Sequence, residues 1–79
     1  LPLLIDNPIL AATDIKEVCR DIQIAEEDLA LLLVVSVHRG PAQVKLSVNA
    51  RAPVFIDATH RRGVQYVFQH DKYKVQHML

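Results

Sequence analysis

Leu29-Ala30-Leu31-Leu32-Leu33-Val34-Val35-Ser36-Val37 contains one hydroxyl among nine residues and ends in a run dominated by β-branched side chains. A run with no polar alternation reads as a strand buried on both faces, the centre of a core. Its purely apolar part, Leu29 to Val35, is far shorter than the ~20 residues a membrane helix needs. Downstream, His38-Arg39-Gly40-Pro41-Ala42-Gln43 carries Gly-Pro punctuation. Val44, Leu46 and Val48 then alternate with Lys45, Ser47 and Asn49. That period of two predicts a hairpin whose second strand is half exposed. Ala52-Pro53-Val54-Phe55-Ile56 predicts another strand, with Pro53 confined to its first position or to an edge because it has no N–H to donate. The polar loop Asp57 to Gly63 follows, with Gly63 expected to supply a positive φ, and Val64, Tyr66 and Phe68 predict one more strand.

Upstream, Ala25-Glu26-Glu27-Asp28 reads as an acidic connector of one short turn. Before it, Ile15, Val18, Cys19 and Ile22 recur at i, i+3, i+4 and i+7, which places four apolar side chains on one helical face. Thr13 or Asp14 is the expected N-cap, and Glu17 stands three residues after Asp14 in a capping-box pattern. At the start, Leu3 to Ile5 predicts a strand end and Asp6-Asn7-Pro8 a turn. Four or five strands with one helix predict a mainly β chain, a small antiparallel barrel-like sheet with one short helix, forming a single domain over residues 1–79. The chain begins at Leu1, inside an apolar run and without an initiating methionine, so we expect a piece of a longer domain. Leu3 to Ile5 and the strand to Val37 should then find partners outside these residues, or leave edges open to pairing between copies.

Nine basic and nine acidic residues cancel, and the basic ones are dispersed, so the footprint of a duplex-nucleic-acid binder is missing. A single cysteine, Cys19, has no partner for an internal disulfide, and no secretory signal pattern occurs. Both point to a reducing cytoplasm, with no membrane involvement.

His38, His60, His70 and His77 are the candidates for metal or acid–base chemistry, but no two have the spacing of a ligand pair on one helix or tight loop. Surface histidines are the plainer reading. Cys19 lies on the apolar helix face, where an inert buried thiol is expected, and Ser36 and Ser47 lie in strands without a strained nucleophile elbow. Two glycines, Gly40 and Gly63, cannot build a phosphate cradle. We expect no catalytic residue, metal or cofactor. Arg51, Arg61, Arg62, Lys72 and Lys74 read either as an anion-binding edge or, more simply, as charges that keep edge strands apart. Half-exposed strands leave one further role, a sheet edge or groove that takes a strand or helix from a partner.

Three blocks in order then carry a resemblance: Asn49 with Ala52-Pro53 and the apolar Val54 and Ile56; Arg62-Gly63 with Gln65; and Tyr73, His77 and Leu79 at the close. They resemble the C-terminal signature of the FliW family. The third block departs from the family's Tyr-Pro-x-Arg-His-Pro-Leu pattern at Lys74, Gln76 and Met78. The resemblance spans nearly the whole chain and about half of a typical member. It implies a compact antiparallel barrel-like fold without catalysis, from a cytoplasmic flagellar assembly factor that binds flagellin and antagonises the carbon storage regulator, a translational repressor, by partner switching. It offers Asn49, Arg51, Arg62, Gln65, Tyr73 and His77 for partner contact, and Ala52, Pro53 and Gly63 for structure. A turn-capping role for Asn49 stays open. The competing readings are a small metal-dependent hydrolase using the four histidines and an oligonucleotide-binding barrel. The second would stack bases on Phe55, Tyr66, Phe68 and Tyr73.

Overall fold

A computed structural model describes residues 9–79. The strand expected at Leu3 to Ile5 and the turn at Asp6-Asn7-Pro8 lie outside the described residues. The chain forms helix α1 (Ala12–Ile22), a 3-10 turn (Glu26–Asp28) and six strands: β1 (Leu29–Leu32), β2 (Val35–Arg39), β3 (Val44–Val48), β4 (Val54–Asp57), β5 (Arg62–Gln65) and β6 (His77–Met78). These strands make two antiparallel three-stranded sheets, ordered β1-β4-β5 and β2-β3-β6. The mainly β class with one short helix holds, as two sheets and without a closed barrel among the described residues.

The continuous strand expected from Leu29 to Val37 does not form. It breaks at Leu33-Val34, so β1 joins one sheet and β2 the other. Nor is it buried on both faces: β1 alternates half-buried with exposed, Leu32 is 54% exposed and Val34 52%. A run that is apolar at every position gives no period-two signal to fix which face turns inward, so a change of sheet within it leaves no mark in the sequence. Leu29, Leu31 and Leu33 pack against the core. The hairpin forms as expected, with Val35 opposite Val48 and Arg39 opposite Val44. Its alternation fails in part, because Val44 is 59% exposed while Ser47 is buried, with its hydroxyl 2.7 Å from His38 Nε2.

Helix α1 is longer at its start than its apolar spacing indicated. Its N-cap is Ala11, with no side-chain cap, so Thr13 and Asp14 lie inside the first turn rather than capping it. The first turn gains other support, since Asp14 hydrogen-bonds Lys72 and Tyr73. The helix ends where Gln23 turns left-handed (φ 60°) and the Ile24 N–H reaches Cys19 O at 3.0 Å. The apolar face behaves as read: Val18 and Cys19 are buried, and Ile15 and Ile22 pack beside them.

Gly63 does not have positive φ. That conformation falls two residues earlier, at Arg61 (φ 53°), because β4 and β5 pair from Asp57–Arg62 onward and the left-handed step must close the loop before them. Gly63 sits in β5 opposite Ile56, where an added Cβ would meet only Ile56 Cγ1 at 4.0 Å. Pro53 stands just ahead of β4, which is the central strand of its sheet rather than an edge. The expected strand from Val64 to Phe68 shortens to Arg62–Gln65, but Tyr66 N still donates to Pro53 O (3.0 Å) and Phe68 N to Arg51 O (2.9 Å).

The core gathers Leu10, Val18, Cys19, Ile24, Ala50, Phe55, Phe68 and Tyr73. Phe55 is fully buried, its ring edge-on to Tyr66 at 6.3 Å, and Tyr66 is edge-on to Phe68 at 5.2 Å. Phe55→Ala should therefore cost about 3–5 kcal/mol. Total stability for a chain of this size is on the order of 4–12 kcal/mol. A urea melt should show most of the cooperative transition lost, whereas Phe55→Leu keeps it; an unchanged midpoint for the alanine variant would place the core elsewhere.

Candidate functional site

The residues singled out for partner contact fall into three places. Asn49, Arg51 and Gln65 surround the crossover that leads from β3 to β4. The Asn49 Oδ1 accepts from the backbone N–H of Arg51 (3.2 Å) and of Ala52 (3.1 Å), the turn-capping geometry that asparagine's short amide favours. Gln65 Nε2 donates to Ala52 O at 3.2 Å, and Arg51 Nε to Phe68 O at 3.0 Å, with Asp71 a weak partner at 4.0 Å. Ala52 and Pro53 are buried within this frame.

Tyr73 and His77 belong to the second place, the C-terminal segment. The N–H groups of Ala50 and Arg51 both donate to Lys74 O, at 3.0 and 3.2 Å, which binds this segment to the crossover. Leu79 N donates to Leu46 O (3.0 Å), and His77 pairs with Val48 in β6, a strand that the sequence did not announce. Tyr73 is buried. Its hydroxyl accepts from Ala11 N–H (2.9 Å) and donates to Asp14, whose carboxylate also holds Lys72 Nζ at 2.7 Å. The Lys72 ammonium, then the Tyr73 hydroxyl, holds the Asp14 carboxyl below its ordinary value; burial, then the bond to Asp14, raises the Tyr73 phenol. An open cleft of about 570 Å³ lies alongside, lined by Ile9, Tyr73, Lys74, Gln76, His77 and Met78 together with Lys72.

Arg62 is apart from both. Its guanidinium, 48% exposed, donates to Gln23 O at 2.9 Å and lies 3.7 Å from Asp57. Asp57 is buried, accepting from His60 N–H (3.0 Å) and facing His60 Nδ1 at 2.8 Å. The His60 backbone bond, followed by its ring and Arg62, holds the Asp57 carboxyl below the ordinary range. Asp28, whose carboxylate accepts from Thr59 Oγ1 at 2.7 Å, completes a group with Asp57 and His60 whose ligand atoms lie within 4.8 Å of one another. Sequence reading missed this group, because Asp28 reaches the Asp57–His60 loop only through the β1–β4 pairing. The three residues could present ligands to a cation, but their lone pairs already serve Thr59, His60 and Arg62, and the bonds tie the loop to the 3-10 turn.

The aromatic residues weighed for base stacking face one another instead. Phe55, Phe68 and Tyr73 are buried, with Phe68 and Tyr73 ring centres 4.8 Å apart, so none of these three offers a free platform. Cys19 is buried, and burial raises its thiol above the ordinary value, as an inert core cysteine requires. No helix among the described residues is long and apolar enough to cross a membrane.

The carboxylate bonds set an acid response. Asp14 and Asp57 are both lowered from 3.8, so each contributes stability above that value and loses it as pH falls through its lowered value. Melting temperature should thus be level down to about pH 4 and fall below it. Asp57→Asn should flatten that fall; an acid limb as steep as the parent's would remove Asp57 from the account. Tyr73→Phe, which loses both hydroxyl bonds, should lower stability by about 1–2 kcal/mol at neutral pH in a urea melt. An unaltered midpoint would show that the hydroxyl does not hold α1.

Comparison with known proteins adds a family. The family model described as FliW protein matches residues 10–79. A flagellar assembly factor FliW of Thermotoga petrophila is 25% identical over 73 residues, which cover 92% of this chain and 46% of that protein. The protein of the same description from Caldanaerobacter subterraneus subsp. tengcongensis is 34% identical over 55 residues, 68% of this chain and 37% of that one. That from Syntrophus aciditrophicus is 33% identical over 51 residues, covering 65% and 31%. The chain thus spans about half the length, or less, of the curated relatives it matches. No solved structure matches it.

Proposed function

The chain belongs to the FliW family, and from that membership we propose that it is the C-terminal part of a cytoplasmic flagellar assembly factor working by partner switching. It binds flagellin while flagellin is held back, and binds and antagonises the carbon storage regulator once flagellin is exported. Two ligands that compete for one protein exchange free energy by linkage alone, so the role needs no catalytic group and no cofactor. The observation that carries the reading is the family match over residues 10–79, which takes in all three sequence blocks.

Within the site, the bonded geometry favours different roles for the motif positions. Asn49 caps the crossover and Tyr73 anchors α1, so their removal should act first on stability. Arg62 and Gln65 are exposed, and His77 is half-buried beside the open cleft; partner contact falls to these and to the outer part of Arg51. Strand edges without a partner among the described residues leave room for association between copies as well.

The test is capture of purified flagellin and of purified carbon storage regulator by this chain, alone and in competition. Each should be captured, and each should displace the other. Arg62→Ala with Gln65→Ala should weaken capture while leaving the melting temperature within about 2 °C, whereas Asn49→Ala should lower it by several degrees, as the loss of about 1 kcal/mol of capping does. Capture of neither protein would end the proposal.

A further inference from the structure

Asp57 and Arg62 are partners in register across β4 and β5, so their side chains leave the sheet on the same face. There they differ in access to solvent: the Asp57 side chain is 2% exposed and that of Arg62 48%. A carboxylate so deprived of water needs partners from the chain itself. Asp57 Oδ1 accepts from the His60 N–H (3.0 Å), and Oδ2 lies 2.8 Å from His60 Nδ1 and 3.7 Å from Arg62 Nη2. The same Nη2 donates to Gln23 O at 2.9 Å. One nitrogen of the guanidinium is thereby held between a buried carboxylate and the carbonyl that follows α1.

The backbone on both sides of this contact is set for it. Gln23, which carries the acceptor, and Arg61, which precedes the donor, are the two non-glycine residues of positive φ among those described (60° and 53°). Each such conformation costs about 1–2 kcal/mol and persists only where its surroundings hold it. The loop does not need Arg62 for its attachment, because Ala58 N donates to Asp28 O (3.0 Å) and Thr59 Oγ1 to Asp28 Oδ1 (2.7 Å). What the inward bond of Arg62 adds is direction. A guanidinium carries five N–H donors in one plane, so fixing one corner aims the others. Among the described residues those others have no hydrogen-bond acceptor within the chain. The formal charges of Arg61 and Arg62, by contrast, are matched by those of Asp28 and Asp57.

We propose that Asp57 is a positioning residue for partner contact: with Gln23 O it holds the inner nitrogen of Arg62, so that the rest of the guanidinium meets hydrogen-bond acceptors of a bound protein as a pre-set fork. This rests on the reading above, in which Arg62 faces a partner, and adds what orients it. The partner reads the direction of the donors and not the charge. The charge is already offset inside the chain, whereas donors that are already aimed need little further ordering on binding. Asp57 itself, buried under the fork, touches no partner.

The test joins capture of purified flagellin and of purified carbon storage regulator to side-chain NMR of the free chain. In the parent, the Arg62 Nε–H should be as ordered as the backbone. Asp57→Asn keeps an acceptor for the His60 N–H but sets an amide where Oδ2 was, and should leave Arg62 mobile. The same variant should weaken capture about tenfold, as the loss of charge-assisted hydrogen bonds does, and Arg62→Ala by at least as much. The two together should match Arg62→Ala within about twofold, a non-additivity that a merely structural role for Asp57 does not produce. Arg62→Lys, which keeps the charge and loses the fork, should bind as poorly as Arg62→Ala, and raising salt should alter these margins little. Thr59→Val, which frees the loop from Asp28 without touching Arg62, should capture as the parent does. If Asp57→Asn fails to fold, the lysine variant decides. Full capture by Asp57→Asn or Arg62→Lys, additive losses, an equal loss with Thr59→Val, or an Arg62 side chain equally mobile in parent and variant would overturn this assignment alone. Capture of neither protein by the parent removes the partner-switching reading, and the role of Asp57 with it.

Discussion

Among the passages that carry the chain between its two sheets, the five residues from Asn49 to Pro53 are the one on whose bonding the rest of the structure depends. Its backbone leaves one ladder before entering the other, so its N–H groups need acceptors that neither sheet supplies. Asn49 Oδ1 takes two of them, those of Arg51 and Ala52, and Lys74 O takes that of Ala50 and shares that of Arg51. Ala50 and Pro53 are fully buried at this point, so water is not available as a substitute partner. An alanine at residue 49 would orphan donors in a passage that cannot open to solvent without separating the sheets.

That constraint explains why the C-terminal segment, which has little regular structure, is nevertheless fixed. Lys74 lends its carbonyl to the crossover, and the next residue back, Tyr73, sends its ring into the core and its hydroxyl to the start of α1. One short segment thus braces the crossover, the helix and, through β6, the hairpin. Lys72 reinforces the same joint from outside, its ammonium on Asp14 and 5.5 Å from the centre of the Tyr73 ring. Helix α1 has no side-chain N-cap, and this joint replaces it: the orphan N–H of Ala11 finds its acceptor on Tyr73, 62 residues away in sequence.

How far the sequence was legible follows from which interactions are local. The helix face from Ile15 to Ile22, the hairpin and the central strand around Phe55 were readable because periodicity and turn composition are written within a few residues. The division of Leu29–Val37 was not, since a run apolar at every position has no alternation to show where its inward face changes. The N-cap was misread because Asp14 matches a local pattern, yet a distant lysine and tyrosine claim its carboxylate. The loop at Gly63 misled for a similar reason: glycine marks freedom to turn, but strand register decides which residue must turn, and here it is Arg61. Of the site, the motif residues were identifiable by resemblance, whereas the grouping of Asp28 with Asp57 and His60 exists only once β1 and β4 are paired.

The motif residues also show why a family signature and a binding surface need not coincide. Asn49, Ala52, Pro53 and Tyr73 are committed to bonds or burial inside the chain, and any partner that drew on them would have to break those contacts first. A binding surface gains more from contacts that leave the fold undisturbed, because every internal bond broken on binding subtracts from the affinity. Arg62 and Gln65 are exposed, and their internal side-chain bonds run to backbone carbonyls, those of Gln23 and Ala52, with Asp57 3.7 Å from the Arg62 guanidinium. The signature therefore divides: Asn49, Ala52, Pro53 and Tyr73 hold the fold from within, whereas Arg62 and Gln65 stand at its surface.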